Sequence, residues 1–194
     1  MTWAWDSSPD DGRQIIANYD DLDSSIPRFR LIGPGKLSSN DGTVVFNAKK
    51  HRISKIEVFG CLNCRCSVRL INRRLSDFIS ERIPANEFQL FPVSVVCSDG
   101  ISDFFSALIP LNERKCTNIE MSSITHWLNE NELALEYKFL TFNSDCLGSL
   151  ALARDTVSDI FVLADQVGDA IEELQMPGVN LVRDKDLSTW PYRK

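Results

Sequence analysis

The sequence predicts an α+β protein with a mixed or antiparallel sheet and few helices. Short apolar runs that alternate with polar residues, bounded by Gly, Pro, Asn and Asp, are typical of strands. Apolar residues at steps of three and four are typical of helices. Two segments, about residues 67–92 and 158–184, combine these patterns in the order strand, helix, strand. We therefore expect two similar strand–helix–strand units.

The first unit starts with an extended apolar stretch and continues into a helix predicted over about residues 72–83. Its apolar stripe repeats at steps of three and four, and Asn72 or Ser76 is a suitable N-cap. The residues from Phe88 onward alternate as a strand, and Ser98-Asp99-Gly100 is a hairpin-type turn.

The second unit repeats this order near the C-terminus. After an extended apolar start, a helix is predicted over about residues 165–175, with Asp165 as its N-cap. Pro177-Gly178 ends the helix, and Val179 and Leu181 follow with the period of a strand.

The segments outside the two units supply further elements. Alternating apolar residues predict strands at 26–32, 43–47, 51–59 and 133–142, and a short helix is expected at 123–131.

The length of 194 residues fits a single domain over residues 1–194. Residues 1–25 are rich in Asp and Ser, which predicts a loosely attached acidic N-terminal segment. The sequence contains no run of about 18 apolar residues, so no membrane span is predicted. The N-terminus has no basic start or apolar core typical of a signal peptide. We therefore expect a cytoplasmic protein whose six cysteines are reduced.

Three cysteines, Cys61, Cys64 and Cys66, form the most metal-like cluster. A zinc site needs four ligands, and no second Cys or His pair follows at the usual spacing. Small thiols also pack well against a sheet. The sequence therefore favours no metal and no cofactor, with zinc on these three residues as the alternative.

Catalytic motifs are absent from the sequence. Only two histidines exist, and there is no nucleophile elbow, Gly-rich phosphate loop, metalloprotease helix or paired-carboxylate motif. This favours a binding protein over an enzyme, so we expect no catalytic residues.

Charge is distributed unevenly around the net value of −6. Residues 24–82 hold twelve Lys or Arg against four Asp or Glu, whereas residues 83–194 hold eight against seventeen. The basic region at 49–82 offers one function, a nucleic-acid or phosphate-ligand binding module. Nucleic acid is nevertheless an unexpected partner for a chain with a pI near 5.0.

Acidic residues offer a different function, since carboxylates can block the cationic cleft of a toxin and raise the rate of association. A basic protein partner fits the acidic balance of the chain better than nucleic acid does. The candidate partner-binding residues are Asp10, Asp11, Asp20, Asp21, Asp23, Glu130, Glu132 and Glu136.

The two units also resemble a known family. The runs LSDFISE (Leu75–Glu81) and NEFQLFPVSV (Asn86–Val95), with the Ser-Asp-Gly turn, resemble the first half of the bacterial polymorphic-toxin immunity protein family numbered eleven, formerly a family of unknown function. Residues 147–182, LGSLALARDTVSDIFVLADQVGDAIEELQMPGVNLV, resemble its second half. The resemblance covers roughly residues 67–184 and rests on apolar pattern and spacing.

This resemblance implies a protein that binds and neutralises a cognate toxin by occlusion, without catalysis or a cofactor. The nucleic-acid or phosphate-binding module stays open as the alternative.

Overall fold

The computed structural model describes residues 1–5, 15–32, 35–64, 68–129 and 133–187. It has the predicted α+β class, with mixed sheets and four α-helices among these residues. The strands are β1 (Thr2–Trp5), β2 (Asn18–Tyr19), β3 (Val45–Asn47), β4 (Cys61–Leu62), β5 (Arg69–Asn72), β6 (Phe88–Cys97), β7 (Gly100–Pro110), β8 (Glu113–Arg114), β9 (Ser123–Asn129), β10 (Leu133–Phe139), β11 (Leu152–Asp155), β12 (Phe161–Ala164) and β13 (Leu181–Arg183). The helices are α1 (Arg28–Ile32), α2 (Ile53–Ile56), α3 (Arg73–Arg82) and α4 (Asp165–Glu172).

The described residues form two compact units. Unit 1 holds those within 1–10, 112–174 and 180–194, and unit 2 holds those within 11–111 and 175–179. That the two units make one domain stays a prediction.

Unit 2 is built on a six-stranded sheet in the order β2-β3-β6-β7-β5-β4. The pair β3 and β6 is parallel, and the other neighbours are antiparallel. The long β6–β7 hairpin turns at Ser98 and Asp99, where the sequence predicts a turn. Phe46, Leu70 and Phe105 are buried in its core, so the sheet is stabilised by a continuous apolar cluster.

Unit 1 contains a five-stranded sheet in the order β13-β1-β12-β11-β8 and a separate hairpin of β9 and β10. Only β11 and β8 pair in parallel among the described strands of this sheet. Its core includes Ala4, Leu140, Val162 and Val182.

The two predicted strand–helix–strand units are confirmed as β5–α3–β6 and β12–α4–β13. In each unit, a further strand lies in the sheet between the two strands of the unit. In unit 2, β7 lies between β5 and β6 and is antiparallel to both. In unit 1, β1 lies between β12 and β13 and is antiparallel to both. The inserted strand follows the repeat along the chain in unit 2 but comes from the N-terminus in unit 1.

The loosely attached segment expected at residues 1–25 is wrong for the described residues at both of its ends. Thr2–Trp5 is the strand β1 inserted between β12 and β13, and its four residues are buried. Ile15 and Ala17 are buried in the core of unit 2, where the amide of Ala17 donates to the carbonyl oxygen of Asn63 at 2.8 Å. The acidic composition of residues 1–25 gives no sign of this burial, because the burial depends on contacts with residues far along the chain.

The N-caps of α3 and α4, the helices of the two repeated units, differ. Asn72 is the N-cap of α3, as predicted, and its side chain accepts from the Leu75 amide at 2.9 Å. The cap predicted at Asp165 is wrong, because the N-cap of α4 is Ala164 and Asp165 is the first helical residue.

Three further local predictions are wrong; distant contacts decide two of them, and the adjacent Pro27 decides the third. Residues 123–129 form the strand β9 because they pair with β10. The strand expected at 26–32 is helical from Arg28, directly after Pro27, whose fixed φ suits a helix start. The strand expected at 51–59 contains α2, whose Ile53 amide donates to Asp99 at 2.9 Å.

The expectation of six reduced cysteines is also wrong, because Cys116 and Cys146 form a disulfide with Cα atoms 5.0 Å apart. This separation lies within the range that a disulfide requires. Cys116 also lies beside Asp155, a buried carboxylate that accepts from the amides of Cys116 and Thr117 at 2.7 and 3.0 Å. The hydroxyl and amide of Ser158 donate to the same carboxylate, so this region of unit 1 is tied together twice.

Within the described ranges, no helix is long and apolar enough to cross a membrane.

Candidate protein-binding surface

A turn at Asp20–Ser25, which we call the acidic turn, carries three of the predicted partner-binding residues. It follows β2, which is one of the two edge strands of the described sheet in unit 2. The Oδ1 atom of Asp20 accepts from the amides of Leu22 and Asp23 at 3.1 and 3.3 Å. These bonds fix the turn locally, as Asp side chains commonly do.

The acidic turn is also tied to the neighbouring strand β3 and to Thr43, just before that strand. Ser24 Oγ accepts from the Val45 amide at 2.9 Å, and Ser25 Oγ accepts from the Thr43 amide at 2.7 Å. The hydroxyl of Tyr19 donates to a backbone carbonyl just after the turn. The turn is therefore an ordered projection from the sheet edge.

An open groove of about 500 Å³ lies between this turn and α1. It is lined by Tyr19, Asp21, Ser24, Ser25, Pro27, Arg28, Phe29 and Ile32. Two apolar side chains of this segment are notably exposed, Leu22 at 95% and Phe29 at 68%. Neither residue was predicted as a contact residue. Phe29 lies in the segment predicted as a strand, and the only available signal at Leu22 was the three Asp around it.

The structure brings together only some of the predicted acidic residues. Asp21 and Asp23 are exposed, while Asp20 is half-buried and holds the turn. Glu136 is half-buried on β10 of unit 1, opposite His126 in the strand register. The remaining candidates, Asp10, Asp11, Glu130 and Glu132, lie outside the described residues.

The cysteine cluster has the chemistry of packed thiols. Cys61 and Cys64 are buried, and Cys66 lies outside the described residues. Burial raises the pKa of the Cys61 thiol to about 12, so the thiol stays protonated at neutral pH. Because the thiolate is the form that attacks an electrophile, Cys61 is a poor nucleophile. No group of three His, Cys, Asp or Glu in the described part of the chain is placed to hold a metal ion.

The basic region divides between surface and interior. Lys49, Lys50 and His51 line a second open groove of about 480 Å³, together with Asn18 and Asn47. Burial, then Lys55 and Lys50, lower the pKa of His51, which favours its neutral form.

The exposed arginines Arg73, Arg74 and Arg82 lie on α3. Arg69, in contrast, is only 2% exposed, so the surface of this region is less basic than its composition suggests.

Comparison of the chain with protein-family models found no match, and comparison with curated proteins found none either.

Proposed function

We propose that this protein is an immunity protein that binds a cognate bacterial toxin and neutralises it by occlusion, without catalysis. The observation that carries the proposal is the acidic turn, which presents Asp21 and Asp23 to solvent on a segment fixed by Asp20, Ser24 and Ser25. The resemblance of residues 67–184 to the immunity family numbered eleven supports the same function.

The proposed occlusion of the toxin rests on attraction between the carboxylates of this protein and a cationic surface of the toxin. A toxin that acts on nucleic acid needs a cationic surface for phosphates, and exposed carboxylates compete for that surface. Neither Asp21 nor Asp23 has an ion-pair partner among the described residues. Both carboxylates can therefore pair with Lys or Arg of a partner without first breaking an internal ion pair.

In this proposal the protein acts in the cytoplasm and needs no membrane association. The Cys116–Cys146 pair would then meet a reducing environment, where most protein disulfides do not persist.

The second candidate function is a phosphate-ligand module. The observation that favours it is the groove at Lys49, Lys50 and His51. Salt-sensitive retention of the full chain on immobilised nucleic acid would support this candidate, and no retention at low salt would remove it.

The proposal is tested with the polypeptide encoded by the reading frame next to this gene. We expect this polypeptide to stop growth when expressed alone, and co-expression of the full chain to restore growth. The purified pair should form a stoichiometric complex. Normal growth of a strain that lacks this chain beside toxin-bearing kin would contradict the proposal.

The contribution of the acidic turn is tested by the double substitution Asp21→Asn/Asp23→Asn. We expect slower association and a weaker dependence of the association rate on salt, because two carboxylates are removed from the steering field. The matched control is Asp77→Asn/Glu120→Gln, which neutralises two exposed carboxylates elsewhere. An equal effect of both double variants would assign the steering to overall charge instead of the turn.

A further inference from the structure

We infer that Leu22, Phe29 and the groove beside them form the apolar anchor for a protein partner whose own apolar contact is surrounded by Lys or Arg. This inference rests on the proposed function and names the surface that performs it. It concerns the segment from Asp20 to Ile32 of unit 2.

Two apolar side chains of this segment, Leu22 and Phe29, are exposed. Single exposed apolar residues are common on protein surfaces and need no explanation. Leu22 and Phe29 differ because they belong to one ordered segment of thirteen residues that borders a groove. Leu22 is 95% exposed at a turn whose backbone is already fixed by hydrogen bonds from its own amide and that of Asp23.

The backbone that carries Leu22 and Phe29 is held in place before any partner binds. A side chain on a fixed turn loses less conformational entropy on binding than one on a flexible loop. The bonds of Ser24 to Val45 of β3 and of Ser25 to Thr43 hold the turn, and Leu31 of α1 is buried in the core of unit 2. Phe29 is therefore presented by a helix that is anchored through the residue two positions later.

The charges around Leu22 and Phe29 indicate the chemistry of the partner. Asp21 and Arg28 both line the groove, and Asp23 is exposed in the same turn as Leu22. The acidic turn itself holds three Asp and no Lys or Arg, and Arg30 of α1 pairs with Asp41 at 3.7 Å. The carboxylates of the turn repel nucleic-acid phosphates and the anionic lipids of a membrane surface. They attract Lys and Arg, and an aromatic ring such as Phe29 also favours a cation at its face. An apolar centre with a charged rim is the usual arrangement of a protein–protein interface.

The experiment measures the Kd of the full chain for the polypeptide encoded by the adjacent reading frame, with Leu22→Ser, Phe29→Ser and the double variant. Central apolar anchors commonly account for much of the binding free energy. We therefore expect each single variant to bind about 30-fold more weakly, chiefly through faster dissociation.

The matched controls are Val58→Ser and Ile101→Ser. These residues are 64% and 61% exposed in the same unit, and neither lines the groove. We expect their Kd to equal that of the unchanged chain. Thermal unfolding of every variant checks folding, and Leu22→Ser decides the matter if Phe29→Ser unfolds, because Leu22 is almost fully exposed.

The two levels of the proposal fail differently. If the unchanged chain does not bind the adjacent polypeptide, the proposed function fails. If it binds but Leu22→Ser binds equally well, or if the control variants lose as much affinity, the function stands and the inferred surface is wrong.

Discussion

Cys61 shows at the residue scale how burial removes chemistry that a sequence motif suggests. The side chain is 1% exposed, and loss of solvation raises the pKa of its thiol from 9.0 to about 12. The neighbouring Arg69 opposes this shift and Cys64 adds to it. The fold therefore binds the proton of Cys61 more tightly than the unfolded chain does.

This difference predicts a loss of stability in alkali. The unfolded thiol ionises near its usual pKa of 9.0, whereas the folded thiol ionises near 12. The stabilising contribution is complete below pH 9 and is lost as the pH rises from about 9 towards 12. Urea unfolding at a series of pH values should show that Cys61→Ala reduces this slope by up to about 1.4 kcal/mol per pH unit. Parallel slopes for the two proteins would contradict the prediction.

Close packing between a helix and a strand explains Gly168, which lies inside α4 where glycine is normally unfavourable. A Cβ atom at this position would overlap the indole ring of Trp3 on β1. The same indole donates to Asp169 at 3.1 Å, and Arg183 of β13 pairs with Asp169 at 2.6 Å. The helix and both neighbouring strands thus meet at Trp3.

We predict that Gly168→Ala destabilises the protein although alanine is the better helix former. The gain in helix propensity is about 1 kcal/mol, while forcing extra volume into a packed contact costs about 1–3 kcal/mol. Gln166→Ala, at an exposed position of the same helix, is the matched control and should be neutral or slightly stabilising. Chemical unfolding of both variants measures the difference, and a stabilised Gly168→Ala would show that α4 can move away from Trp3.

The elements that were predictable from sequence are those that local chemistry determines. The helix near 72–83 is observed as Arg73–Arg82 because its apolar stripe and the Asn72 cap are both local. The strand β9 was not predictable, because its pairing with β10 outweighs a helical spacing of Ile124, Trp127 and Leu128. The exposure of Leu22 and Phe29 was not predictable either, because it also depends on non-local structure. An apolar residue can be recognised as exposed only when its position relative to the sheet is known.

At the scale of the whole molecule, the strand inserted between the two strands of each repeat comes from a different part of the chain in each case. The chain supplies β7 to the first repeat by a tight hairpin after β6. The turn residues Ser98 and Asp99 predict this hairpin from the sequence. It supplies β1 to the second repeat from about 160 residues away along the chain, judged from the pairing of Thr2 with Ala164. Such a distant contact leaves no local signal, which is why the buried N-terminal strand was expected to be loosely attached.

The disulfide closes a loop within unit 1 and should therefore stabilise the fold. Cys116 and Cys146 are 30 residues apart, and constraining a loop of this length in the unfolded chain stabilises a fold by about 3–4 kcal/mol. We expect a reductant to lower the free energy of unfolding by about that amount, measured by urea denaturation. The control is Cys116→Ser/Cys146→Ser, which should start at the lower stability and show no further loss with the reductant. If reduction leaves the unchanged chain as stable as before, the disulfide does not stabilise the fold, and the proposed cytoplasmic location carries no cost. If the expected loss is seen, the protein in a reducing cytoplasm must rely on the Asp155 hydrogen bonds and the buried β1 strand to hold unit 1 together.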